Sequence, residues 1–134
     1  MKFMISEKDV QETFEHAKDW VKKNLAAELA VYADEPKLEI VEINDGWDIT
    51  YSVTERKIKV NLRRVEWYLW REEKFKIHPK YDLETALIHE LYEYCYMRRW
   101  NYPETDKSIV GLVHARARLL ENMVRHKKGL TPWL

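Results

Sequence analysis

The sequence predicts an α+β fold, and three observations predict it. Apolar residues recur at helical spacing near the start, at Val10, Phe14, Ala17, Val21 and Leu25. The period then drops to two, with Leu38, Ile40, Ile49, Tyr51, Val53, Ile58, Val60 and Leu62 alternating with polar neighbours. Helical spacing returns over the last third, in two runs joined by a short Pro-containing link. The expected order is an N-terminal helix, a three-stranded antiparallel meander, then two long helices, all in one domain over residues 1–134.

Each element has its own signals. Ser6, with Asp9 three residues on, has the pattern of a capping box for the first helix, and Pro36 stops the run. His16 lies at the edge of that helix's apolar stripe and reads as an ordinary surface or core histidine. Asn44-Asp45-Gly46 and Thr54-Glu55-Arg56 are the two turns of the expected meander, with the third strand at an edge. Lys57, Lys59, Asn61 and Arg63 fall on its polar face. Residues 64–76 fit a helix through Val65, Tyr68 and Leu69. Asp82 is a suitable N-cap for the helix that follows, which runs to about Arg99. Its residues Leu83, Leu87, Leu91 and Tyr94 form one stripe, and Thr85, Ala86, His89, Glu93, Tyr96 and Trp100 the nearly opposite face. A helix with apolar or aromatic groups on both sides is buried on both sides. Thr105 or Asp106 caps the last helix, which ends near Gly129. Residues 130–134, with Pro132 and Trp133, read as a tail folded back onto the surface.

Composition narrows the function classes. Lys+Arg and Asp+Glu each number 23, so no global field draws a polyanionic partner. The 34% charged content, a single glutamine (Gln11) and only 3 glycines lean towards a thermophilic source. Cys95 is the sole cysteine, which excludes a disulfide framework or a thiolate metal cluster. No leader peptide and no apolar run of membrane length is visible, so a cytoplasmic protein without a membrane partner is expected. Lys57, Lys59, Arg63 and Arg64 beside Trp67 and Trp70 offer cations and aromatic faces to a single-stranded nucleic acid. Packing of those aromatics over the sheet is the stronger reading, and no nucleic-acid partner is expected.

The chemistry concentrates in His89-Glu90-Leu91-Tyr92-Glu93. Residues four apart share a helix face, so His89 and Glu93 project together and can occupy adjacent corners of a metal's coordination shell. Glu90 points about 100° round the helix. On the final helix His114 and Glu121 lie two turns apart on one edge of the core stripe. A short link makes the two helices antiparallel neighbours, which brings His114 towards His89 and Glu93. Two imidazoles and a carboxylate are the donor set of a catalytic zinc with one open position. Glu90 would then act as the base towards the metal-bound water. The plainer alternative is a chance pairing of helical charges, with Glu121 answering Arg118 or Arg125.

The pair of stretches His89-Glu90-Leu91-Tyr92-Glu93 and His114-Ala115-Arg116-Ala117-Arg118-Leu119-Leu120-Glu121 resembles the zincin metallopeptidases. The closest likeness is to small zincin-like proteins of archaea and phages with a His-Glu-Leu-x-Glu helix and a His-x-x-Ala-x-x-x-Glu helix. The resemblance implies His89, Glu93 and His114 as ligands of Zn2+ or another divalent transition metal, and Glu90 as catalytic base. It implies Glu121 as a group that orients an imidazole from behind, or as an alternative ligand. It also implies a metal-dependent hydrolase with a peptide or protein substrate; the alternative is a non-catalytic metal-binding or interaction protein on the same scaffold. Glu at the fifth position, where the familiar His-Glu-x-x-His motif has His, moves the carboxylate to a different corner. Tyr92, Tyr96 and Tyr102 are the candidate oxyanion donors.

Overall fold

A computed structural model of the chain describes residues 5–134; residues 1–4 of the expected domain lie outside the described residues. The fold is α+β, with helices α1 (Glu7–Asn24) and α2 (Ala27–Ala30) first. Strands β1 (Lys37–Val41), β2 (Ile49–Ser52) and β3 (Lys57–Asn61) follow, and then helices α3 (Leu62–Phe75), α4 (Leu83–Trp100) and α5 (Lys107–Lys127). The capping box forms as its residues require: Asp9 N–H donates to the Ser6 hydroxyl at 3.1 Å, and Ser6 N–H to the Asp9 carboxylate at 3.2 Å. Val10, Phe14, Ala17 and Val21 are buried on α1, whereas His16 is exposed, as a surface histidine should be.

The sheet departs from the expected meander. Its strand order is β1-β3-β2, with β1 parallel and β2 antiparallel to β3. The third strand is therefore central rather than an edge, and Ile58 and Val60 on it are fully buried. The physical reason lies in Asn61. Its amide donates to the carbonyls of Ile43 (3.0 Å) and Asp45 (3.2 Å), and its side-chain oxygen accepts from Ile43 N–H (3.1 Å) and Arg63 N–H (3.2 Å). These bonds hold residues 43–45 as a wide connection, so β1 and β2 flank β3 instead of pairing with each other. The second turn closes the β2–β3 hairpin, with Arg56 at φ 54°. Asn61 itself is buried, not on a wet face, and caps α3.

On α3, Tyr68 turns inward and stacks on Tyr81, ring centroids 5.0 Å apart. Trp67 and Trp70 face outward instead of packing over the sheet, with Arg64 and Arg71 over the Trp67 ring. Helix α4 is the axis of the molecule. It packs against α1, α2, α5 and β2, and it buries Leu87, Leu91 and Tyr94 on one side and Thr85, His89 and Glu93 on the other. Asp82 caps it through Thr85 N–H at 3.0 Å. Asp106 caps α5 through Ser108 and Ile109, and Gly129 at φ 77° follows its end. Among the described residues no helix is long and apolar enough to cross a membrane.

Candidate metal centre

Helical spacing, a short link and antiparallel packing bring α4 and α5 together at one end of a cleft of about 610 Å3. His89 sits at the centre of this end. Its Nε2 lies 2.8 Å from Glu93 Oε1 and 3.1 Å from His114 Nδ1, and His114 Nδ1 is 3.7 Å from Glu93 Oε2. The other nitrogen, Nδ1, donates to Glu121 Oε1 at 2.8 Å. The two ring nitrogens thus have separate tasks: Nδ1–H is held from behind, and Nε2 faces Glu93 and His114.

The donors fit a metal ion. Bonds of about 2.0–2.1 Å at tetrahedral angles put neighbouring donors roughly 3.3 Å apart, and the three separations bracket that value. All three residues offer ligand atoms within 4.8 Å of one another, so the His89, Glu93 and His114 group could hold a metal ion. His89, Glu93 and Glu121 are each only 4% exposed, while the His114 side chain is 53% exposed. Three donors therefore come from a dry floor and a solvent-facing wall, which leaves an approach from the cleft.

Electrostatics points the same way. Burial opposes a charge on His89, but the hydrogen bonds it donates to Glu121 and Glu93 outweigh it and raise its pKa to about 9. The proton on this imidazole compensates the buried carboxylates in the metal-free protein, the place a cation would take. Glu90 is half-buried and lines the same cleft. Burial, then the neighbouring charge of Glu93, pushes its carboxyl well above the ordinary range against the pull of His89.

Glu121 carries the α5 end of the constellation. Its Oε1 accepts from His89 Nδ1 and from Arg118 Nη1 at 3.1 Å, and its Oε2 accepts from the Trp133 indole N–H at 2.9 Å. It stands behind His89, on the side away from Glu93 and His114. This is the arrangement in which a carboxylate fixes the tautomer and orientation of a ligating imidazole.

The expected oxyanion donors are elsewhere. Tyr92, Tyr96 and Tyr102 cluster with one another, Tyr96 lying 6.0 Å from Tyr92 and 6.5 Å from Tyr102, and none lines the cleft. Tyr51 of β2 does line it. Burial, then Glu93 and Glu90, pushes its phenol well up, so it remains an O–H donor. Asp48 and Tyr81 line the cleft as well, joined by a 2.7 Å hydrogen bond from the Tyr81 hydroxyl. The alternation of β2 put Tyr51 on a core-facing side, but nothing local in the sequence said which helix that side meets. Trp133 reaches the site from residues 130–134, which do fold back as expected. The chain matches no protein-family model, no curated protein and no solved structure.

Proposed function

We propose that this protein is a zinc-dependent hydrolase acting on peptide bonds, with His89, Glu93 and His114 as metal ligands and Glu90 as general base. The observation that carries the reading is the orientation of His89: Nδ1 engaged by Glu121 and Nε2 facing Glu93 and His114 in a cleft that Glu90 also lines. Imidazole and carboxylate donors at tetrahedral spacing favour zinc among the divalent transition metals. A bound zinc would supply Lewis acidity and a water of lowered pKa.

The chain's own groups account for the rest. Glu90, which lines the cleft beside the donor set, would take a proton from the attacking water and return it to the leaving amine. The Tyr51 hydroxyl offers a hydrogen bond to a developing oxyanion. Among the described residues strand β2 pairs only with β3, its residues Ile49 to Tyr51 line the cleft, and Glu104 takes the Val53 and Thr54 N–H groups just beyond it. An extended peptide adding to β2 would lie along the metal centre, which supports a peptide substrate over a small one. Cys95, buried and unpaired with any other cysteine, suits a reducing, cytoplasmic setting.

Glu90→Gln tests the reading. Zinc-loaded wild type should cleave members of a quenched-fluorescent peptide library, and Glu90→Gln should keep its zinc and lose at least about 100-fold in rate. Equal rates in the two proteins, or zinc-loaded wild type without hydrolysis, would overturn it in favour of a non-catalytic metal-binding protein.

A further inference from the structure

The segment after α5 is built into the candidate metal centre. Arg125, fully buried, anchors it: Nε donates to Thr131 O at 2.9 Å, and Nη2 donates to Lys80 O at 2.6 Å. Asn122 then holds the Trp133 backbone from both sides, accepting from Trp133 N–H at 2.7 Å and donating to Trp133 O at 2.9 Å. The indole lies beside two guanidinium groups, that of Arg125 4.6 Å and that of Arg118 5.6 Å from the ring centroid. The contacts of Asn122, Arg125 and Arg118 therefore aim one N–H, that of Trp133 Nε1, at Glu121 Oε2.

That N–H has a specific job to do on the carboxylate. Glu121 Oε1 is shared between His89 Nδ1 and Arg118 Nη1. A carboxylate beside a guanidinium gains by turning to pair with it through both oxygens. Such a turn would take Oε1 off His89 and free the imidazole to rotate. The indole N–H holds Oε2 on the far side and so fixes the plane in which Oε1 meets His89. We propose that Trp133 is a positioning residue for the metal centre, acting through Glu121 to fix the orientation of His89. The inference rests on the metal-site reading above and deepens it: the site is completed by a tryptophan outside both helices that carry the ligands.

The test is zinc affinity, measured by competition with a chromogenic chelator, in wild type, Trp133→Phe, Glu121→Gln and the double variant. Phenylalanine keeps an aromatic ring beside Arg118 and Arg125 and removes the pyrrole half of the indole with its N–H. Partners that orient a ligating imidazole are typically worth 10–100-fold in metal affinity. Trp133→Phe should therefore weaken zinc binding by about tenfold, near the lower end of that range, while the metal-free protein keeps its fold and a cooperative melting transition. Because Trp133 acts through Glu121, the double variant should bind no more weakly than Glu121→Gln alone. Undiminished affinity in Trp133→Phe, or a loss that adds in full to that of Glu121→Gln, would overturn the inference and leave the site reading standing. Failure of wild type to bind zinc would overturn both.

Discussion

Helix α4 carries one half-buried and one buried polar cluster, and they are built on opposite terms. Near its C-terminal end Glu35 accepts from the Tyr94 hydroxyl at 2.6 Å and from Arg98 Nε at 2.8 Å. One carboxylate there meets a phenol and two guanidinium groups, that of Arg98 and, at 3.9 Å, that of Arg56, so its charge is answered by its own neighbours. Burial works against the Glu35 charge, and the Tyr94 and Arg98 hydrogen bonds outweigh it, leaving its pKa below the ordinary value. Towards the N-terminal side of α4, Glu93 and Glu121 meet His89 with Arg118 as the nearby guanidinium, and Glu90 lines the same cleft. In the metal-free protein the charge of Glu93 and Glu121 is answered by Arg118 and by the proton on His89, at the end of a cleft. A polar cluster with fixed counter-charges holds the fold together; one balanced by a removable proton on an imidazole could exchange it for a metal ion.

The contrast can be broken or sharpened by substitution, and the largest effect belongs to the Glu35 cluster. Glu35→Gln removes the charge that Arg98 and Tyr94 answer, and should destabilise the protein by about 1–3 kcal/mol in urea denaturation, with zinc binding unchanged. A matching drop in zinc affinity would mean that the clusters are not independent. The His89 cluster should respond in the opposite sense. Glu90 has a raised carboxyl pKa in the fold, so its ionised form disfavours folding above that pKa. Glu90→Gln should accordingly raise the metal-free melting temperature at pH 8. A lower value would place Glu90 among the residues that hold the fold.

The smallest effect is one of pH. His89, with its pKa raised from 6.5 to about 9, contributes stability that is fully present below pH 6.5 and lost as pH rises through about 9. Metal-free protein should lose melting temperature across that window, and His89→Gln should flatten the slope. Zinc replaces the same proton, so uptake below pH 9 should release it, measurable by calorimetry in buffers of different ionisation enthalpy. A flat profile in wild type would remove the claim that His89 is held as a cation.

The same division explains what could be read from the sequence. Helices α1, α4 and α5 were legible because their periodicity, their caps at Ser6, Asp82 and Asp106, and their stops are local. The donor set was legible for a related reason: His89 and Glu93 share a helix face by spacing alone, and a six-residue link between α4 and α5 leaves His114 few places to go. The strand order was not, because a parallel β1–β3 pair leaves no turn between its partners. Asp45-Gly46 looks the same in a hairpin as in the wider connection that Asn61 holds open. Nor could Tyr51 and Asp48 be placed in the cleft, since that depends on how the sheet meets α4. The indole of Trp133 reaches Glu121 only through the path fixed by Arg125 and Asn122, side chains whose partners are invisible in a linear pattern.

The measurement that bears most directly on the account is elemental analysis of protein purified without a metal-affinity tag, beside His89→Ala and His114→Ala. About one zinc per chain is expected in wild type and none in either variant, with both variants folded. Wild type that holds no metal and takes none up from added zinc would contradict it.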